Sequence, residues 1–111
     1  MINQTIQHIA ETIRYAVPVE KIYLFGSFAY GTPQQNSDYD FYVIIPEGSI
    51  RPIEAMQKAY RALYPLADIP AVDVVASTQK KFDIMSRRIN TIESDVAQKG
   101  VLLYERNGMD T

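Results

Sequence analysis

The sequence predicts an α/β (α+β) domain: a small β-sheet of about four strands with helices packed mainly on one side. Three observations carry this. Stretches with apolar residues at helical spacing alternate along the chain with short β-branched or aromatic runs. Prolines and glycines fall between these stretches or at their ends. The length, 111 residues, suits one domain and is too short for two ordinary ones. A single domain over residues 1–105 is expected, with a frayed tail over 106–111. The pattern leaves the sense of strand pairing open.

Residues 2–17 read as a helix, because Ile2, Ile6, Ile9, Ile13 and Val17 fall on one stripe. His8 adjoins that stripe and reads as a partly exposed helix residue. Pro18 ends the element. Lys21 to Phe25 is a β-branched and aromatic run, the first strand. Gly26 breaks it, Ser27 caps a short helix through Tyr30, and Gly31 offers a left-handed exit. Thr32 to Ser37 is a polar loop. Tyr39 to Ile45 is the second strand, and its apolar character on both faces suggests a central place.

Pro46 to Ser49 is a turn, and Pro52 suits the first turn of a second long helix. Ile53, Met56, Tyr60 and Leu63 give its expected buried stripe, and the helix stops near Pro65. Asp68-Ile69-Pro70 leads irregularly into a third strand, Ala71 to Ala76. Ser77 or Thr78 caps the next helix, with Phe82, Met85 and Ile89 on one stripe. Ile92 and Val96 continue that stripe after an irregularity near Asn90. Gly100 stops it, and Val101 to Glu105 is the fourth strand.

Composition narrows the function. The chain has no cysteine, which excludes disulfides, thiolate metal sites and cysteine nucleophiles. It also agrees with a reducing compartment, so a cytoplasmic location is expected. No apolar run approaches the roughly 20 residues that span a bilayer, and no secretory signal is visible at the N-terminus. The net charge of −2 provides no positive stripe, so extended nucleic-acid binding is not expected.

The chemistry concentrates in Leu24-Phe25-Gly26-Ser27 and, ten residues after Ser27, Asp38-Tyr39-Asp40. Glycine lets a ligand approach the main chain closely. The helix start that follows offers amides to a phosphate, and the Ser27 hydroxyl adds a donor. Alternation in a strand places Asp38 and Asp40 on one face, where two carboxylates repel unless a cation sits between them. Magnesium, which prefers oxygen ligands, is a natural solution. Each piece alone is common, as a helix start or as solvated aspartates. Together they form a restrictive conjunction: Leu24-Phe25-Gly26-Ser27-Phe28-Ala29-Tyr30-Gly31, then Asn36-Ser37-Asp38-Tyr39-Asp40-Phe41-Tyr42-Val43.

This conjunction resembles the nucleotidyltransferase superfamily related to DNA polymerase beta. The short chain is similar to its minimal branch, often encoded beside a HEPN-domain partner as the antitoxin of a toxin–antitoxin pair. The resemblance implies the nucleotidyltransferase fold with a small mixed sheet. It implies ATP as substrate, one or two magnesium ions on Asp38, Asp40 and a third carboxylate, and nucleotide contacts from Gly26, Ser27 and Ser37. Asp73 matches the third carboxylate. It is the one acidic residue in the run Ala71-Val72-Asp73-Val74-Val75, where burial without a partner would be unfavourable.

The implied reaction is attack of a hydroxyl on the α-phosphorus of ATP, with AMP transferred and pyrophosphate released. The implied acceptor is a HEPN-type toxin, in a hetero-oligomer with this chain. Two other functions stand beside it: an antitoxin that neutralises by binding alone, and transfer to a small molecule of the aminoglycoside type. Many minimal members carry basic residues where this chain has Phe28 and Tyr30. Lys80 and Lys81, just past the third strand, are the candidates to compensate, though they read more simply as solvated charges.

Overall fold

The computed structural model describes residues 3–33 and 38–106. The elements are α1 (Gln4–Ala16), β1 (Lys21–Phe25), α2 (Ser27–Tyr30), β2 (Tyr39–Ile45), α3 (Pro52–Leu63), β3 (Val72–Thr78), α4 (Gln79–Ser86), α5 (Ile92–Lys99) and β4 (Val101–Glu105). The strands form one mixed sheet in the order β3-β2-β1-β4. β1 runs antiparallel to both β2 and β4, whereas β2 and β3 are parallel. A parallel pair needs a crossover, and α3 supplies it. The α/β expectation therefore holds, and the pairing left open by the sequence resolves as mixed.

The sheet has a large core on one face. Tyr39, Phe41, Val43 and Ile45 of β2 meet Ile6, Ile9 and Ile13 of α1 and Ala55, Ala59 and Leu63 of α3. Burying an Ile or Phe side chain contributes on the order of 1.5–3 kcal/mol, so this face carries most of the hydrophobic stabilisation. The intervening residues of β2 point the other way. Tyr42 and Ile44 pack with Phe82 of α4 and Val96 of α5 in a smaller cluster. The Phe82 ring stacks on Tyr23 at 5.9 Å and meets Tyr42 edge-on at 5.3 Å.

Several expectations shift locally. α1 is capped by Asn3, whose side chain accepts from the Ile6 N–H at 2.8 Å. Ile2, the first member of the expected stripe, lies outside the described residues, as do residues 107–111 of the expected tail. Arg106 is described and donates its N–H to the Glu20 carbonyl. His8 is exposed.

On α3 the buried row is Ala55, Ala59 and Leu63, while Ile53 and Tyr60 are 50% and 43% exposed. Alanines let the helix lie close to the sheet, with Leu63 buried and Met56 packed against the core, while Ile53 and Tyr60 turn outward. The last expected helix is two helices. Phe82 is buried but Ile89 is 86% exposed, because α4 ends at Ser86 and Asn90 adopts a left-handed φ of 66°. Thr91 then caps α5 by accepting from the Ser94 N–H at 2.9 Å. Among the described residues, no helix is long and apolar enough to cross a membrane.

Candidate active site

β1 runs into Gly26, which has φ 76° and ψ −162°. Side chains other than hydrogen are strained there. There is also no room for one, since a Cβ on Gly26 would overlap Oδ2 of Asp40 and stand 3.0 Å from its Cγ. The turn after β1 is thus pressed against a carboxylate of β2. Gly26 itself is the cap of α2, and no side chain makes a capping bond. This corrects the expectation that Ser27 caps the helix: Ser27 is its first residue. Gly31 closes α2 in the left-handed conformation, as expected.

Asp40 pairs in register with Phe25 of β1 on one side and with Asp73 of β3 on the other. Adjacent strands lie about 4.8 Å apart, and paired residues share a face. Asp40 and Asp73 therefore stand together, on the same face as Tyr42 and α5. Asp38 lies one residue before β2, which begins at Tyr39, and sits exposed at the strand entrance. Burial first, then the Asp73 and Asp38 carboxylates, push the Asp40 carboxyl up from 3.8 to about 6. The burial argument made for Asp73 thus belongs to Asp40. Asp73 itself is exposed near the start of β3.

These residues suit a hard divalent cation. They offer only oxygen donors, and their charge is unbalanced: the described ion pairs, Lys21–Glu105, Arg51–Glu54 and Arg106–Glu20, involve none of them. Among the described residues no three acidic or imidazole side chains form a ready-made cation cage. The preformed part is the Asp40–Asp73 pair, and Asp38 would have to join it. Ser37 lies outside the described residues.

The two aromatic residues of α2 have separate roles. Phe28 packs into the large core, with its ring edge-on to Tyr39 at 4.4 Å. Tyr30 turns toward the site. Its hydroxyl is buried with no hydrogen-bond partner among the described residues. Burial, with Asp95 and Asp40 nearby, raises its phenol above the ordinary value.

Lys99, at the end of α5, holds its ammonium 5.6 Å from the Tyr30 ring centre. Lys80 and Lys81 instead open α4 beyond the other end of β3, about 17 Å of strand away from Asp73. Their distance from the site agrees with the simpler reading of both as solvated charges. Lys99 is 69 positions from Tyr30 in the chain, and only the antiparallel β1–β4 pairing brings the α5–β4 junction back to Leu24.

A Gly-Ser turn set against neighbouring carboxylates on two parallel strands is a nucleotidyltransferase arrangement. A family model described as "Polymerase beta, Nucleotidyltransferase" matches residues 6–108. The chain belongs to this family. No curated protein matches it.

Solved structures share the fold. A Sulfolobus solfataricus protein assigned to the nucleotidyltransferases superposes with TM-score 0.64 at 19% identity, covering 95% of this chain and 81% of that one. A mutant of the toxin–antitoxin MntA-HpeT gives TM-score 0.59 at 24% identity, covering 96% and 76%. A toxin–antitoxin with AMP-PNP gives 0.58 at 25% identity, covering 95% and 76%.

Proposed function

We propose that this chain is a metal-dependent nucleotidyltransferase that moves AMP from ATP to a hydroxyl of a partner protein. On this reading it acts in the cytoplasm as the antitoxin of a HEPN-type toxin, with which it forms a hetero-oligomer. One observation carries the reading: Asp40 and Asp73 stand side by side in register, directly beneath the Gly26 turn. The likeness to a toxin–antitoxin with AMP-PNP supports a toxin as partner and an adenine nucleotide as ligand.

Asp38, Asp40 and Asp73 would hold one or two magnesium ions. When bound, these ions supply neutralisation of the triphosphate and of charge developing in transfer. Gly26, lacking a side chain, admits a phosphate to the main chain. The Ser27 hydroxyl, not engaged in capping, donates to a phosphate oxygen, and Ser37 is assigned to the same group. Asp73, exposed at the end of the sheet, is reachable by an acceptor and takes the proton of its hydroxyl. The acceptor oxygen bonds to the α-phosphorus as the bond to pyrophosphate breaks.

The test incubates the protein with labelled ATP, magnesium and the product of the neighbouring gene. The expected result is label on the partner with native protein and none with the Asp38→Asn, Asp40→Asn double substitution. Full neutralisation by both forms without label would replace this reading with that of an antitoxin acting by binding alone. Label on an aminoglycoside and none on the partner would point to small-molecule transfer.

A further inference from the structure

We infer that Tyr60 is a positioning residue for Asp73, acting through the main chain at the open edge of the sheet. The inference rests on the reading of Asp73 as a cation ligand. β3 pairs with β2 alone and is an edge strand. Main-chain groups along a strand alternate between its two sides. The Tyr39 N–H donates to the Ala71 carbonyl at 3.0 Å, so Ala71 turns toward β2, and Asp73 and Val75 do the same by alternation. Val72, Val74 and Ala76 turn outward. At a free edge, outward amides are left to solvent or to another chain.

The Val74 amide is not left free. It donates to the Tyr60 hydroxyl at 2.8 Å. The peptide unit joining Asp73 to Val74 is thereby held from both sides, its carbonyl by the β2 ladder and its N–H by α3. The chain enters β3 through an irregular stretch in which Asp68 has a left-handed φ of 63°. Asp73 is the second residue of the strand and is exposed.

Tyr60 has no role in the core that would explain its orientation. It is 43% exposed, while Ala55, Ala59 and Leu63 make the buried face of α3. Packing of that face fixes the helix, and the hydroxyl transfers its rigidity to the strand end that bears the carboxylate. Asp40 needs no such support, since β2 is paired on both sides.

The test compares the full chain with Tyr60→Phe, Asp73→Asn and, as a control just past the end of the same helix, Tyr64→Phe. Tyr64 is 90% exposed. Amide hydrogen exchange is read at Val74 and Val75, and manganese affinity is read by calorimetry on the metal-free protein. Tyr60→Phe is expected to speed exchange at Val74 about tenfold or more while Val75 stays protected by the ladder. It is expected to weaken manganese binding about tenfold, the usual effect of removing a group that orients a ligand. Its thermal midpoint should stay within about 3 °C of the parent, a check that the fold survives. Tyr64→Phe should change none of these.

Weaker manganese binding in Asp73→Asn with none in Tyr60→Phe would overturn the positioning role and leave Asp73 as a ligand. Unchanged binding in both would overturn the assignment of Asp73, and the role of Tyr60 with it.

Discussion

Asp40 and Asp73 are register partners across the parallel β2–β3 pair, and the Asp40 carboxyl is raised from 3.8 to about 6 by burial and by its acidic neighbours. The metal-free fold therefore carries a penalty on this face. A carboxyl whose folded value lies above its unfolded one destabilises the fold once it ionises. The penalty is absent below the unfolded value, grows as pH rises through the interval up to about 6, and is complete above it.

Asp40→Asn is accordingly expected to stabilise the metal-free protein at pH 7.5 by about 1 kcal/mol, a figure reduced for solvent screening of a partly exposed group. At pH 4 the difference should nearly vanish. Urea melts at the two pH values check this. A destabilised variant at pH 7.5 would remove the electrostatic account of the pair.

Gly26→Ala should be among the most damaging small substitutions in the chain. The new methyl meets the Asp40 carboxylate and sits at a φ of 76°. A loss of about 2–3 kcal/mol is expected from strain and overlap together. The double variant with Asp40→Gly, which clears the space, should recover part of that loss but none of the cation affinity. No recovery would mean that backbone strain alone sets the requirement for glycine.

Tyr42 ties α5 to the sheet. Its hydroxyl lies 2.8 Å from Ser77 Oγ and donates to Glu93 Oε2 at 2.6 Å. Burial and the Glu93 bond raise its phenol above the ordinary value. Tyr42→Phe keeps the ring packing but leaves buried Ser77 and the Glu93 carboxylate short of a partner, so about 2 kcal/mol of stability should be lost. Ser77→Ala in that background should add little further loss, since the two share one bond. Denaturant titration of the two single variants and the double variant reads the coupling.

Lys99 offers a sharper separation. Lys99→Ala should weaken ATP binding in the presence of magnesium about fivefold, the effect of one exposed charge on a triphosphate, with little change in melting temperature. Lys80→Ala with Lys81→Ala should leave it unchanged. Equal losses in both would place the triphosphate elsewhere on the surface.

Chelation tests the carboxylates directly. With few protein cations at the Gly26 turn, ATP affinity should fall about tenfold or more when magnesium is removed by EDTA. Tight binding without a divalent cation would contradict the assignment of the carboxylates.

Where local chemistry decides the structure, the sequence was a good guide. The strand from Lys21 to Phe25, the four-residue helix closed by Gly31 and the strand from Tyr39 to Ile45 all form where their residues predict. These elements are bounded by glycine and by β-branched or aromatic runs, and each signal is contained within a few residues. The errors arose where packing decides. Hydrophobicity placed Tyr60 in the core of α3, but alanine fits the close approach to the sheet and the phenol reaches the strand edge instead. The site shows the same division. Asp38, Asp40 and Asp73 stand out in the sequence as acidic residues beside or within apolar runs. Which of them is half-buried follows from strand order, which alternation alone does not reveal. The nearness of Lys99 to Tyr30 depends on the β1–β4 pairing and has no local signature.

The sheet separates two cores of unequal size. The protein is therefore mechanically lopsided: α1 and α3 hold one face firmly, while α4 and α5 hold the other through Phe82, Val96 and the Tyr42–Glu93 bond. The thin layer is expected to lift from the sheet before the rest unfolds. Native-state hydrogen exchange in low denaturant should find α4 and α5 opening at a lower free energy than α1. Equal opening energies would make the domain one cooperative unit. If the layer does lift, the wall beside Asp40 and Tyr30 is a hinged one, and access to the carboxylates becomes a matter of population rather than of fixed shape.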